Sequence, residues 1–236
     1  MTTKLKSLLN KLKDIFKIDK FFFFLIKLLK LSNNNKLNDL YDYGEGYFYQ
    51  SLNKINLSGL RNTKYRVELL DLKEITKNKI VLDVGCNSGF VLLETENNYK
   101  AAIGIDYNEN LINSAKLVKE YFKVKNIDFI CDDFLKCENL VYPKFDIILS
   151  LANHSTFDNG ISDTEKYFKK VFNLLNENGT LIFESHHPQY ESIEKFNDIK
   201  NHLLTKYSLI KEGIYENNNF YDYGRRYLIL KKINFS

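Results

Sequence analysis

The sequence predicts an α/β domain built on a doubly wound sheet, mostly parallel, with an antiparallel pair at its carboxyl-terminal edge. Three observations carry this. From about Tyr65 onward, short apolar runs alternate with amphipathic segments of ten or more residues, the pattern of a parallel sheet covered on both faces. The run 80–84 passes directly into a glycine-bearing turn that opens a helix. The stretch 204–234 holds two strand-like runs, Leu204 to Ile210 and Arg226 to Ile233, with no helix between them.

Composition fits one large domain with an appendage. The chain has 236 residues, 44% of them hydrophobic, with 18 Phe and 16 Tyr, so it holds enough apolar side chain for a core and is neither disordered nor collagen-like. Three Cys, none in a CxxC or CxxH pattern, argue against a disulfide framework and a structural zinc site, and point to a reducing, cytoplasmic compartment. The net charge of +4 is uneven: residues 1–31 hold eight Lys against Asp14 and Asp19, which leaves the remainder slightly acidic. Only four of the 34 basic residues are Arg, so the chain has few of the planar forks that read bases or grip phosphates, and nucleic acid is not the expected partner.

Taken in order, residues 1–31 form a basic amphipathic segment. Leu5, Leu8, Leu9, Leu12, Ile15 and Phe16 recur at helical spacing, with most of the lysines off that stripe. The apolar run from Phe21 to Leu31 is too short to span a bilayer. It is followed by Ser32-Asn33-Asn34-Asn35 rather than by a cleavage site of small residues. Such a helix either packs on its own domain, the favoured reading, or docks on an anionic membrane surface or a protein partner. Residues 32–59 read as a polar linker and a Tyr-rich loop, 41–49, that could close over an acceptor. Residues 60–236 form the main domain. Its strands are expected at 80–84, 101–105, 127–131, 145–150 and 179–184, and its helices near 60–76, 89–97, 109–122, 162–175 and 190–203.

Chemistry is expected at the carboxyl end of the first strand, where the crevice of such a sheet lies. Ile80-Val81-Leu82-Asp83-Val84-Gly85-Cys86-Asn87-Ser88-Gly89 lacks the dinucleotide fingerprint, because Asn87 replaces the glycine that admits a pyrophosphate. This motif resembles that of the class I S-adenosylmethionine-dependent methyltransferases, matching hydrophobic-Asp-x-Gly-Cys-x-x-Gly at Asp83, Gly85, Cys86 and Gly89. The resemblance covers residues 60–185 and implies a Rossmann-like fold, S-adenosyl-L-methionine as cofactor and methyl transfer as activity. Asp106 ends the second strand 21 residues after Gly85; there a carboxylate can accept from both ribose hydroxyls, while Asn108 serves as the helix cap. The resemblance places Asp132 at the adenine amino group and Asp133 as the backbone donor to the ring. A solvated acidic pair that caps a turn is the alternative.

The fourth-strand run Phe145 to Ser150 resembles the strand whose end faces the methyl group, which places Ser150 toward the cofactor and His154 near the acceptor. His186 and His187 follow the fifth strand. Histidine, with an unperturbed pKa near 6.5, is suited to take a proton as a methyl group is transferred, which makes His154 and His186 the catalytic candidates. Glu184 and His186 alternate along an extended strand and could share a ligand, but no third ligand is evident and no metal is expected. The expected acceptor is a small molecule or saccharide, methylated at oxygen. A wobble-uridine type of transfer RNA methyltransferase and a catalytically silent adenosyl-binding module are the alternatives.

Overall fold

The computed structural model describes residues 11, 15, 20–32, 48–96, 98–138, 140–153, 161–216 and 221–233. Helix α1 (residues 20–32) is followed by β1 (Phe48–Gln50), β2 (Gly59–Arg61), α2 (Thr63–Leu69) and α3 (Leu72–Ile75). The alternating body comprises β3 (Ile80–Val84), α4 (Phe90–Glu94), β4 (Ala101–Asp106), α5 (Glu109–Phe122), β5 (Ile127–Cys131), β6 (Phe145–Leu151), α6 (Ile161–Leu174), β7 (Leu175–Glu184) and α7 (Ile193–Leu204). It closes with β8 (Tyr207–Ile214) and β9 (Arg226–Lys232).

These strands make a seven-stranded sheet in the order β5-β4-β3-β6-β7-β9-β8. The first five pair in parallel, while β9 pairs antiparallel with β7 and β8, so the expected terminal pair is present with β8 outermost. Strand order reverses between β3 and β6, which puts the crevice of the sheet at their carboxyl ends. Strand β3 is buried on both faces from Val81 to Val84, as a central parallel strand must be. Edge strand β8 is exposed along most of its length and carries Lys211 and Glu212, charges that discourage pairing with another chain.

Alternation along the strands makes two cores. One face gathers Val81, Ile147, Leu149, Leu151, Ile182 and Ile229 beneath residues of α1, α2, α4 and α5. The other gathers Leu82, Val84, Ile148, Leu181, Phe183 and Leu228 with Tyr167, Phe168, Phe196 and Leu203 of α6 and α7. Helix α5 shows how the sequence sets an element. Asn108 Oδ1 accepts from the N–H groups of Asn110 and Leu111, and Leu111, Ile112, Ala115 and Val118 form the buried stripe. Lys123 ends the helix in the left-handed conformation.

Two expectations change. The segment read as linker and loop contains β1 and the first residue of β2, a short parallel pair with Phe48 opposite Gly59. A helix expected over 60–76 starts only at Thr63, because Gly59–Arg61 is the strand that pairs with β1. Most of the Tyr-rich loop, residues 41–47, lies outside the described residues.

Helix α1 packs on its own domain along one face. Phe24 and Leu28 are buried, and the Phe24 ring stacks on Tyr121 of α5 at 4.1 Å. Its opposite face leaves Phe22 and Phe23 exposed beside Lys20, Lys27 and Lys30. Among the described residues no helix is long and apolar enough to cross a membrane. This packing makes a sharp contrast between neighbours: Phe24→Ala should lower the unfolding free energy in urea by about 3 kcal/mol, whereas Phe22→Ala should change it by less than about 0.5 kcal/mol.

Candidate active site

The turn after β3 is shaped by what a side chain would strike. Gly85 has φ +70°, and a Cβ there would lie 2.6 Å from Asn153 Cβ; Gly89 has φ +69° and faces the Phe129 ring at 2.3 Å. Asn87 also stands in the left-handed region, at φ 55°. Asparagine adopts this conformation more readily than most residues, which explains how the turn dispenses with a third glycine. Its Oδ1 accepts from the Ser88 N–H at 2.8 Å. The backbone N–H groups of Gly85 and Cys86 both donate to Ile105 O, tying the turn to β4.

Asp106 closes this turn from the neighbouring strand. Its Oδ2 accepts from Asn87 N at 2.9 Å and its Oδ1 from Asn108 N at 3.0 Å. The carboxylate therefore sets the turn and the entry to α5 at once, and it retains lone pairs for two ribose hydroxyls. Burial raises its pKa against those backbone bonds. Asp83, on the same sheet face, is 2% exposed and its Oδ2 has no hydrogen-bond partner. Burial pushes this carboxyl up to about 7, with Arg66 opposing and Asp106 adding to the rise. A buried oxygen without a partner beside a glycine turn fits a cationic ligand group such as the α-ammonium of an amino acid.

Other expected residues fall differently. Cys86 turns its thiol away: Sγ packs where a side chain on Gly104 would stand, so only its backbone borders the turn. Ser150 points to the opposite sheet face, because its register alternates with that of Leu149 and Leu151. There it is fully buried and accepts from Tyr167 OH at 2.8 Å and Asn153 Nδ2 at 3.0 Å. Asp132 takes the Asp133 N–H at 2.8 Å, and Asp133 Oδ1 takes the Leu135 N–H at 2.9 Å, so the pair caps the turn after β5. The expected donor to the adenine ring is thus engaged by its neighbour. His154 lies outside the described residues. His186 is present beside the strand ends, its Nε2 3.0 Å from Asn153 O. His187 accepts from Gln189 N through Nδ1.

Glu184 does not face a ligand shared with His186. Its carboxylate is taken by Arg66 Nε at 2.8 Å, Arg66 Nη2 at 2.7 Å, Arg61 Nη1 at 2.6 Å and Tyr215 OH at 2.7 Å. Arg61 Nε pairs with Asp222, and Arg225 Nη1 lies 3.6 Å from Glu184 while its Nη2 donates to Tyr49 OH at 3.2 Å. Burial alone would raise the Glu184 pKa, but Arg61, Arg66 and Arg225 hold it well below the usual carboxylate range. Burial would likewise raise that of Tyr49, yet Arg225, Arg61 and Arg66 bring it below its ordinary 10.0. The sequence pattern singled out Glu184 but did not join it to Arg61, Arg66 and Arg225, and it did not single out Gln50, whose Oε1 accepts from Phe90 N and whose Nε2 donates to Cys86 O across the glycine turn. The available signal was the rarity of Arg in a lysine-rich chain.

A doubly wound sheet with a glycine turn, a strand-end acid and no dinucleotide fingerprint defines a protein that binds an adenosyl group without a pyrophosphate. A family model described as a methyltransferase domain matches residues 75–223, and the chain belongs to that family, with the fold of the class I S-adenosylmethionine-dependent methyltransferases. It is 25% identical over 158 residues to the U6 snRNA methylphosphate capping enzyme Amus of Drosophila melanogaster, covering 58% of this chain and 51% of that protein. It is 28% identical over 122 residues to a ubiquinone biosynthesis O-methyltransferase of Coxiella burnetii, covering 51% and 49%. The chain thus spans about half the length of these relatives. The N-methyltransferase NodS from Bradyrhizobium japonicum WM9 superposes with a TM-score of 0.61 at 13% identity, over 72% of this chain and 96% of that one. A second structure of NodS, in complex with S-adenosylhomocysteine, gives 0.59.

Asp83 makes stability depend on pH in a definite direction. Its folded pKa, about 7, lies above the ordinary 3.8. The unfolded chain therefore loses this proton first, and the contribution present below pH 3.8 is lost as pH rises toward 7. At 1.36 kcal/mol per pKa unit the loss is at most about 4 kcal/mol. In ligand-free protein, urea melts of Asp83→Asn should show a shallower decline of stability between pH 4 and 7 than wild type; parallel curves would refute the assignment.

Proposed function

We propose that the protein is an active methyltransferase that moves the methyl group of S-adenosyl-L-methionine to an oxygen of a small or saccharide acceptor. The observation that carries this reading is the placement of Asp83 and Asp106 about the Gly85–Gly89 turn at the point where strand order reverses. The donor set suits the cofactor: Asp83 for the ammonium, Asp106 for the ribose, and Gly85 with its neighbours for close backbone approach. Asp132 remains the candidate for the adenine amino group, through an acceptor rather than a donor.

The cofactor supplies a methyl group on a positively charged sulfonium, which an acceptor oxygen can displace. The acceptor lone pair forms the new C–O bond as the S–C bond breaks, the thioether departs neutral, and the hydroxyl proton must leave the acceptor. Holding the reacting atoms about 3 Å apart and in line supplies most of the acceleration. The chain contributes a rigid seat for this alignment. Ala152 adopts φ 52°, a conformation that costs alanine about 1–2 kcal/mol, and its N–H is fixed by Glu184 O at 3.0 Å. That bend presses Asn153 against Gly85 and sets Asn153 O for His186.

His186 is the proposed proton acceptor. A carbonyl oxygen only accepts, so His186 Nε2 carries the hydrogen, and Nδ1 is the basic nitrogen of the neutral ring. Acceptor choice follows from composition: the slightly acidic body and the shortage of Arg favour a sugar over RNA. Tight, salt-sensitive binding of transfer RNA in a gel shift would reverse that choice.

Calorimetric titration should show micromolar binding of S-adenosylhomocysteine and none of NAD. Asp106→Ala should weaken the former about 100-fold, the loss of two hydrogen bonds to a carboxylate. Unchanged affinity in Asp106→Ala would remove the ribose role. Once an acceptor is in hand, His186→Gln should lower kcat by about 10²–10⁴ and abolish the acid limb of the pH–rate profile; a profile that keeps this limb excludes His186 as the base.

A further inference from the structure

The buried arginine cluster is built beyond what bracing the fold requires. Arg61, Arg66 and Arg225 are three of the four Arg in the chain, and each is at most 5% exposed. Among the described residues they are ion-paired with two carboxylates, Glu184 and Asp222. Two further acids lie within electrostatic reach of the cluster: Glu191, whose Oε2 also accepts from His186 N at 3.0 Å, faces Arg225, and Asp83 of the glycine turn faces Arg66. Arg61 Nη2 is buried and has no hydrogen-bond partner, although Nε and Nη1 of the same guanidinium are both paired. A buried fork with one prong unfilled is suited to an anion.

The cluster's position makes that anion part of the acceptor. Leu151 and Glu184 end adjacent strands on the sheet face that also carries Asp83, and Arg66 reaches between them to Leu151 O. The loops bordering the cluster hold Tyr190, Tyr221 and Tyr223, which are 61%, 39% and 60% exposed. They are joined to it directly: Arg225 Nε donates to Tyr221 O at 2.6 Å, and Gly224 packs so closely on Pro188 that a Cβ would come within 2.8 Å. An exposed tyrosine ring offers a flat apolar face with a polar tip, which suits the similarly two-sided surface of a sugar ring.

We propose that the acceptor is an anionic saccharide, its carboxylate or phosphate held by Arg61 and Arg225 and its ring laid against the tyrosine rim. This rests on the methyltransferase reading and specifies its substrate class. The chemistry of the step is unchanged, since the anionic group is a handle and a hydroxyl elsewhere on the sugar receives the methyl group.

The test uses the full chain saturated with S-adenosylhomocysteine, titrated with inorganic phosphate, glucuronate and methyl glucoside and followed by ligand-observed NMR. Phosphate and glucuronate should each bind in the millimolar range, and methyl glucoside about tenfold more weakly. Arg61→Lys keeps the charge but removes the unfilled prong, and should weaken both anions about tenfold. Arg226→Lys, which alters a guanidinium lying over the Phe196 ring, should not. If thermal melting shows that Arg61→Lys does not fold, Arg225→Lys carries the same expectation. Glucuronate binding without phosphate assigns the site to a carboxylate, and phosphate without glucuronate to a phosphate. Equal binding of charged and neutral sugars with no phosphate binding overturns the proposal, as does anion binding that survives the lysine variants. A third result also overturns it: Arg225→Lys weakening S-adenosylhomocysteine but not methylthioadenosine, which lacks the amino-acid portion, would assign the guanidiniums to the cofactor's own carboxylate. Absence of any S-adenosylhomocysteine binding removes the methyltransferase reading and the proposal with it, a result distinct from the others because it is seen before any anion is added.

Discussion

The carboxylate of Glu184 is the point on which the site is assembled. It sits fully buried at the end of β7 and receives Arg61 from β2, Arg66 from α2 and Tyr215 from the connection between β8 and β9. Two parts of the chain far apart in sequence, the 61–66 segment and Tyr215, therefore meet on one side chain. Burying a carboxylate is costly unless it is paired and hydrogen-bonded, and removing one partner of such a set typically costs about 3–5 kcal/mol. The interaction need not add net stability over a well-packed apolar alternative. Its consequence is specificity of arrangement, because no other registry of β2, α2 and the 221–225 segment would satisfy the same charges.

The two acids that matter most on this sheet face behave oppositely, although both are buried. Glu184 is surrounded by guanidiniums and stays ionised, whereas Asp83, with only Arg66 near enough to oppose its burial, is raised to about 7. Arg66 is the link between them: it is committed to Glu184 through two nitrogens and acts on Asp83 through space. The ligand-free pocket is thereby left with a carboxyl that a cationic ligand can ionise. At the other end of the same face Glu184 and the guanidiniums around it stay charged.

Much of the fold was legible in the sequence, and the cluster about Glu184 was not. Strands at 80–84 and 127–131 and the helix at 109–122 follow from local periodicity and from the cap at Asn108. Asp106 follows from its distance to Gly85. These are short-range signals. The cluster about Glu184 depends on pairs separated by 118, 123 and 161 residues, and nothing local to Arg61, Arg66 or Asp222 announces them. Gln50 is similar: it clamps the glycine turn from a strand read as part of a loop. Ser150 shows the limit of aligning a motif without its register, since one residue along a strand exchanges the two faces of the sheet.

Lysine dominance in this chain gives the few arginines their meaning. Where only charge or solubility is needed, Lys serves, as it does along the exposed face of α1 and on edge strand β8. Arginine is retained where a planar fork must address two carboxylate oxygens at once while buried, which Lys cannot do without leaving hydrogen-bonding capacity unfilled. Arg66 meets that requirement completely through Glu184. Arg61 meets it for two of its three nitrogens and keeps the third unpaired in the interior. A residue selected for full satisfaction would not be left in that state, so the remaining nitrogen is best understood as addressed to a group that arrives with the substrate. Under the anionic-acceptor proposal, the brace that orders the amino-terminal strands and the site that would read the acceptor are one structure and share residues rather than lying side by side.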